Sequence, residues 1–322
     1  MEKMKTGTCD MAQIDIKELN RLAACDPVSM IRDAEDGYHK KIRELAALAV
    51  GRRDLRVILL AGPSGAGKTT TANLLADAIK SLGEEAMVLS LDDFYRGADD
   101  PEYPKLPGGG RDFESPYALR LPDLVNTLEC ITAGKEFLCP KYDFKTASRK
   151  GEFIHRAMPH GCVIIEGLHA LNPVISQKLP KNRILKLFVS VSTNVNNDAE
   201  RIISGRKIRF VRRLVRDSIY RGADAERTLS MWRGVIIGED RNLYPYKALA
   251  DVAFDTFHAF ELGVMKGRAL ALLDVPNLNS DPFVSVIRAT LNATHSIDEI
   301  LVPENSLLRE FISGGIYHAT YG

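Results

Sequence analysis

Short apolar runs separated by helical stretches dominate the chain after Arg56. Each run is rich in Val, Ile and Leu and apolar at nearly every position, which is typical of strands buried on both faces of a parallel sheet. Five runs are therefore predicted as strands, at residues 57–61, 86–91, 162–165, 184–189 and 252–254. Helical spacing over 69–82 separates the first two. This repetition predicts a doubly wound α/β domain with a mainly parallel sheet of about five strands.

Further elements are predicted around this sheet. Asp26 and Pro27 are typical of a helix start, and apolar residues spaced three and four apart continue from there to Gly51. Another helix is predicted between Pro122 and Gly134. The remaining expectations are an edge hairpin, a glycine-rich loop and a late helix, at residues 135–142 with 151–158, at 101–111 and at 306–313.

The composition is that of a soluble globular protein. The 322 residues are 45% hydrophobic and 26% charged, which excludes a disordered or collagen-like chain. Lysine and arginine total 43 against 42 acidic residues, so the net charge indicates neither a nucleic-acid nor a membrane partner. No apolar run approaches the roughly 18 residues of a membrane helix, and the N-terminus lacks the apolar stretch of a secretory signal. With five cysteines and no Cys-x-x-Cys pair, we expect reduced thiols in a cytoplasmic protein.

The strongest chemical signal is GPSGAGKT at residues 62–69, which matches G-x-x-x-x-G-K-[ST] in full. It follows a predicted strand and opens a predicted helix. Glycines let successive backbone N–H groups converge on one anion, and the helix dipole points to the same place. Lys68 is expected to reach the outer phosphates and the Thr69 hydroxyl to hold Mg²⁺. The predicted nucleotide-binding residues of this loop are Gly62, Ser64, Gly65, Ala66, Gly67, Lys68, Thr69 and Thr70.

Three carboxylates follow predicted strands, at the edge of the sheet where α/β domains bind ligands. Asp92 and Asp93 come after the second strand, and Glu166 ends the third. A carboxylate at this edge can hold Mg²⁺ or accept a proton from an attacking hydroxyl. Asp92 and Glu166 are therefore predicted as metal ligands together with Thr69, with helix capping or a surface loop as the alternative explanation of these acids. No N-K-x-D motif is present, so a GTPase switch is not expected.

A strongly basic segment, GRKIRFVRRLVRDSIYRG, lies at residues 205–222 and has seven basic residues and one acid. Arg209, Arg212, Arg213 and Arg216 are spaced to lie on one face of a helix. Four such arginines can clamp a polyphosphate and neutralise charge that develops during phosphoryl transfer. We therefore expect a mobile lid that orders when nucleotide binds. The alternatives are a solvated basic face and a nucleic-acid-binding stripe, which no other basic and aromatic patch supports.

Five motifs in order give residues 56–257 a resemblance to the uridine kinase and phosphoribulokinase group of P-loop kinases. The run RGADAERTLSMW and the late SLLREFISG look like longer bacterial members of the uridine kinase group. The resemblance implies a P-loop NTPase fold with an arginine-rich helical lid. The five motifs are GPSGAGKT, D-x-F-Y at 92–95, P-x-Y-D-F at 140–144, I-E-G at 165–167 and R-R-x-x-R-D-x-x-x-R-G at 212–222.

The resemblance also implies roles for individual residues. Asp92 would be the general base toward the acceptor hydroxyl, and Lys68 and Arg216 the other catalytic residues. Glu114 stands where uridine–cytidine kinases place an aspartate that holds the ribose hydroxyls. The walls of the acceptor pocket would be Tyr95, Phe113, Tyr142 and Phe144, and the lid over ATP would be Arg213, Arg216 and Arg221.

Three positions depart from the family's uridine-reading pattern. Ala147 stands where those kinases place a histidine against the pyrimidine, Ala223 where an arginine follows R-G, and Met231 where a glutamine is expected. A pocket that reads a polar edge loses affinity when its hydrogen-bonding groups are missing. We therefore expect uridine and cytidine to be poor acceptors, although the phosphate machinery is intact.

These residues together predict an ATP-dependent kinase that uses Mg²⁺ and phosphorylates a hydroxyl of a small molecule. The resemblance makes a nucleoside the leading acceptor class. A sugar, polyol or sugar phosphate is the alternative acceptor, and a nucleotide-binding regulator without turnover is the alternative outside catalysis. Neither nucleic acid nor membrane is an expected partner, and a homo-oligomer is left open. The predicted division is an N-terminal helical extension, a P-loop kinase domain and a C-terminal appendage packed on it, at residues 1–54, 55–262 and 263–322.

Overall fold

A computed structural model of the protein describes residues 12–143, 146–156, 158 and 161–317. Within these residues, the strands are β1 (Gln13–Asp15), β2 (Val57–Ala61), β3 (Glu85–Ser90), β4 (Phe137–Asp143), β5 (Ser148–His155), β6 (Gly161–Glu166), β7 (Ile184–Ser190), β8 (Asn194–Asn197), β9 (Glu200–Ile203) and β10 (Val252–Asp255). The helices there are α1 (Ile16–Cys25), α2 (Pro27–Val50), α3 (Lys68–Ser81), α4 (Leu121–Thr132), α5 (Pro173–Ser176), α6 (Gly205–Arg221), α7 (Ala225–Asn242), α8 (Glu261–Leu273), α9 (Pro282–Ala293) and α10 (Arg309–Ile312).

The central sheet has five parallel strands in the order β10–β7–β2–β6–β3. β2 and β6 are buried at every position, as expected of strands covered on both faces. β2 lies at the centre of the sheet, with β6 and β3 on one side and β7 and β10 on the other. A crevice therefore opens at the carboxyl end of β2, which is where α/β sheets bind ligands. The predicted α/β fold is confirmed, and each of its five strands ends within one residue of its prediction.

The predicted helices α2, α3 and α4 are also present. The Asp26 carboxylate caps α2 by accepting the Ser29 N–H at 2.9 Å, and Pro27 is its first residue. α1 was not predicted, although Asp15 caps it in the same way through the N–H of Lys17. The late helix expected over 306–313 is shorter, since only the single turn α10 is helical there.

Two small sheets lie apart from the central one. β1, β8 and β9 form one of them. β4 and β5 form the predicted hairpin, an antiparallel pair that in the described residues makes a sheet of its own and is not an extension of β3. The hairpin is attached to the end of β3 by side chains of the candidate active site.

One hydrophobic cluster joins the N-terminal helices, the helices around the central sheet and the C-terminal elements. It includes Ile42 of α2, Leu75 of α3 and Phe311 of α10. The predicted boundary at 54/55 lies in the turn between α2 and β2, whereas the boundary at 262/263 lies inside α8. Residues on both sides of each predicted boundary contribute to this one cluster.

No helix in the described part of the chain is long and apolar enough to cross a membrane. Cys25, Cys130, Cys139 and Cys162 are free thiols. Burial raises the pKa of Cys139 and of Cys162 to about 12, so both stay protonated and pack as small apolar side chains.

Candidate active site

The loop at residues 62–69 joins β2 to α3 and needs its glycines for two different reasons. Gly65 and Gly67 have φ angles of +74° and +79°, in the left-handed region that favours glycine. A Cβ at Gly62 would lie 2.3 Å from the carbonyl oxygen of Val189 in β7, so this position has no room for a side chain. The loop ends at Gly67, the N-cap residue of α3, and therefore delivers its backbone to a helix N-terminus.

Lys68 and Thr69 form the first turn of α3. The Lys68 ammonium donates to the carbonyl oxygen of Pro63 at 3.2 Å and so lies over the loop. Thr69 Oγ1 donates to Oε1 of Glu166 at 3.5 Å, and Ser90 Oγ donates to the same oxygen at 2.8 Å. The structure thus brings the loop, the end of β3 and the end of β6 to one point.

Two carboxyl groups next to this turn have raised pKa values. Burial raises the pKa of Glu166 to about 7, with Lys68 opposing the shift and Asp92 adding to it. Asp92 is open to the cleft, yet the surrounding protein displaces enough bulk water to raise its pKa, against the charges of Lys68 and Arg221. A cation that arrives between these groups would favour the ionised form of both.

Asp93 has a different environment from its neighbour Asp92. Its buried carboxylate pairs with the Lys141 ammonium at 3.1 Å and accepts the Tyr142 N–H at 3.3 Å. Lys141 and Tyr142 belong to β4. Asp93 therefore fastens the hairpin to the end of β3, while Asp92 is left facing the cleft.

Aromatic side chains line the cleft at the end of β3. The Tyr95 hydroxyl donates to the carbonyl oxygen of Phe113 at 3.1 Å, and the rings of Tyr95 and Tyr142 lie 6.0 Å apart. Tyr103, from the glycine-rich loop, is buried and packs edge-on against Phe113 at 5.7 Å. Three segments of chain thus build one aromatic wall. The predicted pocket residue Phe144 lies outside the described residues.

Glu114 lies between this cleft and the arginine-rich helix. Burial raises its pKa to about 7, with Glu239 adding to the shift and Arg213 opposing it. A Cβ at Gly238 of α7 would lie 2.3 Å from Cβ of Glu114, so α7 packs directly against this residue. The Asn242 side chain donates to the Glu114 backbone carbonyl at 2.6 Å. Glu114 is therefore held firmly and can exchange a proton near neutral pH.

The arginines of α6 do not form one clamp. Arg209 forms a buried bidentate ion pair with Glu239 at 2.8 and 2.9 Å, and Arg212 pairs with Glu261 in the same way. Both guanidinium groups also donate to carbonyl oxygens of the phosphate-binding loop, at 2.7 and 3.1 Å. The expectation of four phosphate-binding arginines is wrong for these two, because buried carboxylates neutralise them and they instead fix the loop backbone.

Arg213, Arg216 and Arg221 gather around Asp217. Their distances to its carboxylate are 3.1, 2.7 and 3.6 Å. Burial opposes ionisation of Asp217, but the three arginines outweigh it and lower its pKa. Arg213 also donates to Ser64 Oγ at 3.1 Å. Arg221 and Arg216 also favour the ionised form of Asp92, and Arg213 favours that of Glu114, so the cluster lies between the loop and the acids of the cleft.

The phosphoribulokinase / uridine kinase family matches this chain over residues 57–261. The chain belongs to this family. A uridine kinase from Deinococcus deserti is 29% identical over 179 residues, 55% of this chain and 75% of that protein. A uridine kinase from Borrelia hermsii is 30% identical over 200 residues, 62% and 85% of the two chains. Among solved structures, a D-glycerate 3-kinase from Cryptococcus neoformans has a TM-score of 0.44 at 15% identity and covers 64% and 88% of the two chains.

Membership confirms the resemblance inferred from the five motifs. It makes the chain one of a family of kinases whose matched region contains the phosphate-binding loop, the end of β3, the hairpin, β6 and α6. α1, α2 and the elements after residue 261 lie outside the matched region, although they share its hydrophobic core.

The donor set of this site fits the Mg²⁺ that phosphoryl transfer requires. Thr69 offers a hydroxyl oxygen, and Asp92 and Glu166 offer carboxylates, the ligands that Mg²⁺ prefers. The raised pKa of Glu166 reflects a buried carboxyl with too little positive charge around it, which a divalent cation would supply. The described residues contain no cluster of three His, Cys, Asp or Glu side chains, so most ligands would be water and phosphate oxygens.

Sequence reasoning missed several buried side chains at this site. The sequence did not indicate Glu239 and Glu261 as site residues, because no local pattern shows that a glutamate pairs with an arginine on another helix. His169 is buried, and burial together with Lys68 lowers its pKa to about 4, so it is neutral. Its position three residues after Glu166, at the same sheet edge, could have pointed to it.

Proposed function

We propose that this member of the family is a kinase that transfers the γ-phosphoryl group of ATP to a hydroxyl of a small molecule. The observation that carries the proposal is the convergence of Lys68, Thr69, Glu166 and Asp92 at the carboxyl ends of β2, β3 and β6, beside an aromatic cleft. A phosphate cradle, an oxygen donor set for Mg²⁺ and an open carboxylate thus lie beside an aromatic wall.

In this proposal the donor phosphates bind the loop N–H groups and Lys68. The positive cluster of Arg213, Arg216 and Arg221 lies beside the loop and stabilises the charge that develops on the transferred group. Mg²⁺ held by Thr69, Asp92 and Glu166 would neutralise the phosphate oxygens. Arg209 and Arg212 support these groups indirectly, since they hold the backbone of the loop.

Asp92 is the proposed general base. The acceptor oxygen attacks the γ-phosphorus, the bond from that phosphorus to the bridging oxygen breaks, and ADP leaves. The proton of the acceptor hydroxyl passes to the Asp92 carboxylate. Asp92 is suited to this because it faces the cleft, while Asp93 is occupied by Lys141. A general base of this kind contributes about 10² to 10⁴ in rate.

A nucleoside is the leading acceptor class in this proposal, because relatives of this chain are uridine kinases and the cleft has an aromatic wall. Uridine and cytidine themselves are expected to be poor acceptors. Ala147 has no polar group to read a base, and its carbonyl is already occupied by the Ala98 N–H at 2.8 Å. Met231 is largely exposed on α7.

A sugar, polyol or sugar phosphate is the second candidate acceptor, and one observation favours its phosphorylated form. Arg111 is exposed at the mouth of the cleft, with its guanidinium 5.8 Å from the centre of the Tyr103 ring. An arginine there can bind the phosphate of the acceptor, and the carboxylate of Glu114 can accept from its hydroxyl groups.

The test is acceptor-dependent release of ADP from MgATP, measured with uridine, cytidine, other nucleosides, sugars, polyols and sugar phosphates. We expect turnover with one acceptor class, and a fall of about 10² to 10⁴ in the turnover number of Asp92→Asn with little change in ATP affinity. Asp99→Asn, an exposed aspartate seven positions later, is the matched control and should be unaffected.

Three outcomes would count against parts of the proposal. No acceptor-dependent ADP release would favour a nucleotide-binding regulator. If Asp93→Asn were inactive and Asp92→Asn fully active, the general base would not be Asp92. Uridine phosphorylated with kcat/KM of about 10⁴ M⁻¹s⁻¹ or more would restore a plain uridine kinase.

A further inference from the structure

The C-terminal segment, residues 302–313, lies directly on the phosphate-binding loop. Oε2 of Glu310 accepts the backbone N–H of Thr70 at 3.1 Å and the Thr70 hydroxyl at 2.9 Å. A Cβ built on Gly67 would lie 2.5 Å from Cδ1 of Leu307, so Leu307 packs against the bare backbone of the loop. Leu307 and Phe311 are fully buried. The segment is therefore part of the wall of the donor site.

The N–H of Thr70 is one of the donors that the loop offers to phosphate. Gly67 is the N-cap of α3, so Thr70 is the third residue of the helix and its N–H has no partner within the helix. Free N–H groups at this position cradle the phosphates in a P-loop. The Glu310 carboxylate is negatively charged, as a phosphate is, and it accepts the Thr70 N–H that a phosphate would accept.

Glu310 differs from the other carboxylates that hold the loop. Glu239 accepts the Ser64 N–H at 2.8 Å, but its charge is balanced by Arg209. Among the described residues, Glu310 forms no ion pair with a lysine, arginine or histidine. A buried carboxylate without a cation keeps its place only through its hydrogen bonds. Glu310 is therefore held chiefly by Thr70, the group that a phosphate would engage.

We propose that Glu310 competes with the phosphate donor for Thr70, and that donor binding displaces the Glu310 carboxylate and loosens the C-terminal segment. The inference rests on the proposed function, because it requires a phosphate-bearing donor in the loop. It makes Glu310 a residue that sets donor affinity. It also couples the donor site to the position of the C-terminal segment, so that movement of the segment changes donor affinity.

The test measures the Kd of ADP and of inorganic tripolyphosphate by calorimetry for the wild type, Glu310→Gln and Glu304→Gln. The glutamine introduced by Glu310→Gln is nearly isosteric and can still accept the Thr70 N–H, but it no longer repels phosphate. We expect Glu310→Gln to lower both Kd values about tenfold or more, which is about 1.4 kcal/mol. Glu304 is exposed in the same segment, so Glu304→Gln should leave both unchanged.

The two proposals fail in distinguishable ways. If the wild type binds ADP tightly and Glu310→Gln binds it equally well or more weakly, Glu310 does not compete with phosphate. The kinase proposal would then still stand. ADP binding by neither protein would overturn both. Tripolyphosphate is the probe that contains phosphates without a nucleoside. If only ADP bound more tightly to Glu310→Gln, the competition for phosphate would be wrong.

Hydrogen exchange on the unmodified protein gives a second readout that needs no variant. We expect backbone amides of residues 306–313 to exchange faster when ADP saturates the site, because the Glu310 carboxylate has left Thr70. The amides of α3 should slow in the same experiment. Unchanged or slower exchange over 306–313 would mean that Glu310 is a permanent structural contact, and the proposal would be wrong.

Discussion

At the scale of single residues, environment separates side chains that have the same formal charge. Asp92 faces the cleft, Asp93 is paired with Lys141, and Glu166 is buried beneath the hydroxyls of Thr69 and Ser90. Only Asp92 is exposed, and it lies beside the aromatic wall. The role that each acid can play therefore follows from its neighbours.

Replacement of Lys68 by alanine should remove phosphoryl transfer and leave the fold intact. The ammonium lies over the loop and supplies a point charge to the outer phosphates, a contribution of at least about 3 kcal/mol, or over a hundredfold in rate. Steady-state kinetics and a thermal melt of Lys68→Ala would check this. Lys80→Ala, on the exposed end of the same helix, should behave as the wild type, and an active Lys68→Ala would remove the loop from the mechanism.

The pKa of Glu166 predicts a pH dependence. Because burial raises this pKa to about 7, the carboxyl is mostly protonated below that pH and cannot serve a metal ion. We expect kcat/KM to rise about tenfold per pH unit below pH 7 and to level off above it. Higher Mg²⁺ should move the rise to lower pH, because the cation favours the ionised form.

Glu166→Gln should lose this pH dependence together with most activity, whereas Glu85→Gln, at the exposed start of β3, should keep both. Glu114 has a pKa of about 7 as well and offers a direct alternative. A pH profile that persists in Glu166→Gln and vanishes in Glu114→Gln would assign the titration to the acceptor side of the site.

At the scale of elements, the two halves of α6 differ in how firmly they are held. Its first half is anchored, because Arg209 and Arg212 are buried against Glu239 and Glu261. Removing one partner of such a pair costs about 3 to 5 kcal/mol, so this half does not open readily. The second half carries the cluster around Asp217, where Arg221 is partly exposed. We therefore expect the mobile lid predicted over the whole of 205–222 to be confined to the end of the helix.

Hydrogen exchange of α6 should accordingly divide into two parts. Amides of residues 209–215 should be protected with and without nucleotide, whereas those of residues 217–223 should slow when ATP and Mg²⁺ are added. Mass spectrometry of overlapping peptides can resolve the two halves. Uniform slowing over the whole segment would restore the larger lid, and no change anywhere would make α6 entirely structural.

At the scale of the whole molecule, the N-terminal helices and the C-terminal segment share one core with the kinase domain. This core encloses a titratable group. Glu35 of α2 is buried, with its Oε1 3.8 Å from Nε2 of His258. Burial raises the pKa of Glu35 to about 7 and lowers that of His258 to about 3, so both are neutral in mildly acidic solution. The packing of the N-terminal extension is therefore sensitive to pH.

Stability of the wild type relative to Glu35→Gln should fall as the pH rises. The folded protein holds a proton on Glu35 up to about pH 7, whereas the unfolded chain releases it near the ordinary value of 4.5. Folding therefore loses stability between these values, by about 2 to 3 kcal/mol from pH 5 to pH 8. Urea unfolding of the two proteins at both pH values would measure this difference. The exposed Glu44→Gln is the control, and a constant difference between wild type and Glu35→Gln would contradict the shift.

Much of the fold was predictable because its signals are local. The five central strands and helices α2, α3 and α4 follow from apolar periodicity, caps and glycine stops, each contained within about 25 residues of chain. The loop at 62–69 and the acids at the ends of β3 and β6 were found for the same reason. The short strands β8 and β9 are polar and gave no such pattern.

What the sequence by itself determined is the α/β fold, the phosphate-binding loop and the family, since motif spacing and periodicity are properties of the chain read in order. The tertiary structure alone decided which arginines of α6 are neutralised, because their partners Glu239 and Glu261 lie 30 and 49 residues away. It also placed Glu310 on Thr70, 240 residues away in the chain. A charge is balanced or exposed according to its neighbours in space, and distant pairing of this kind leaves no local pattern in the sequence.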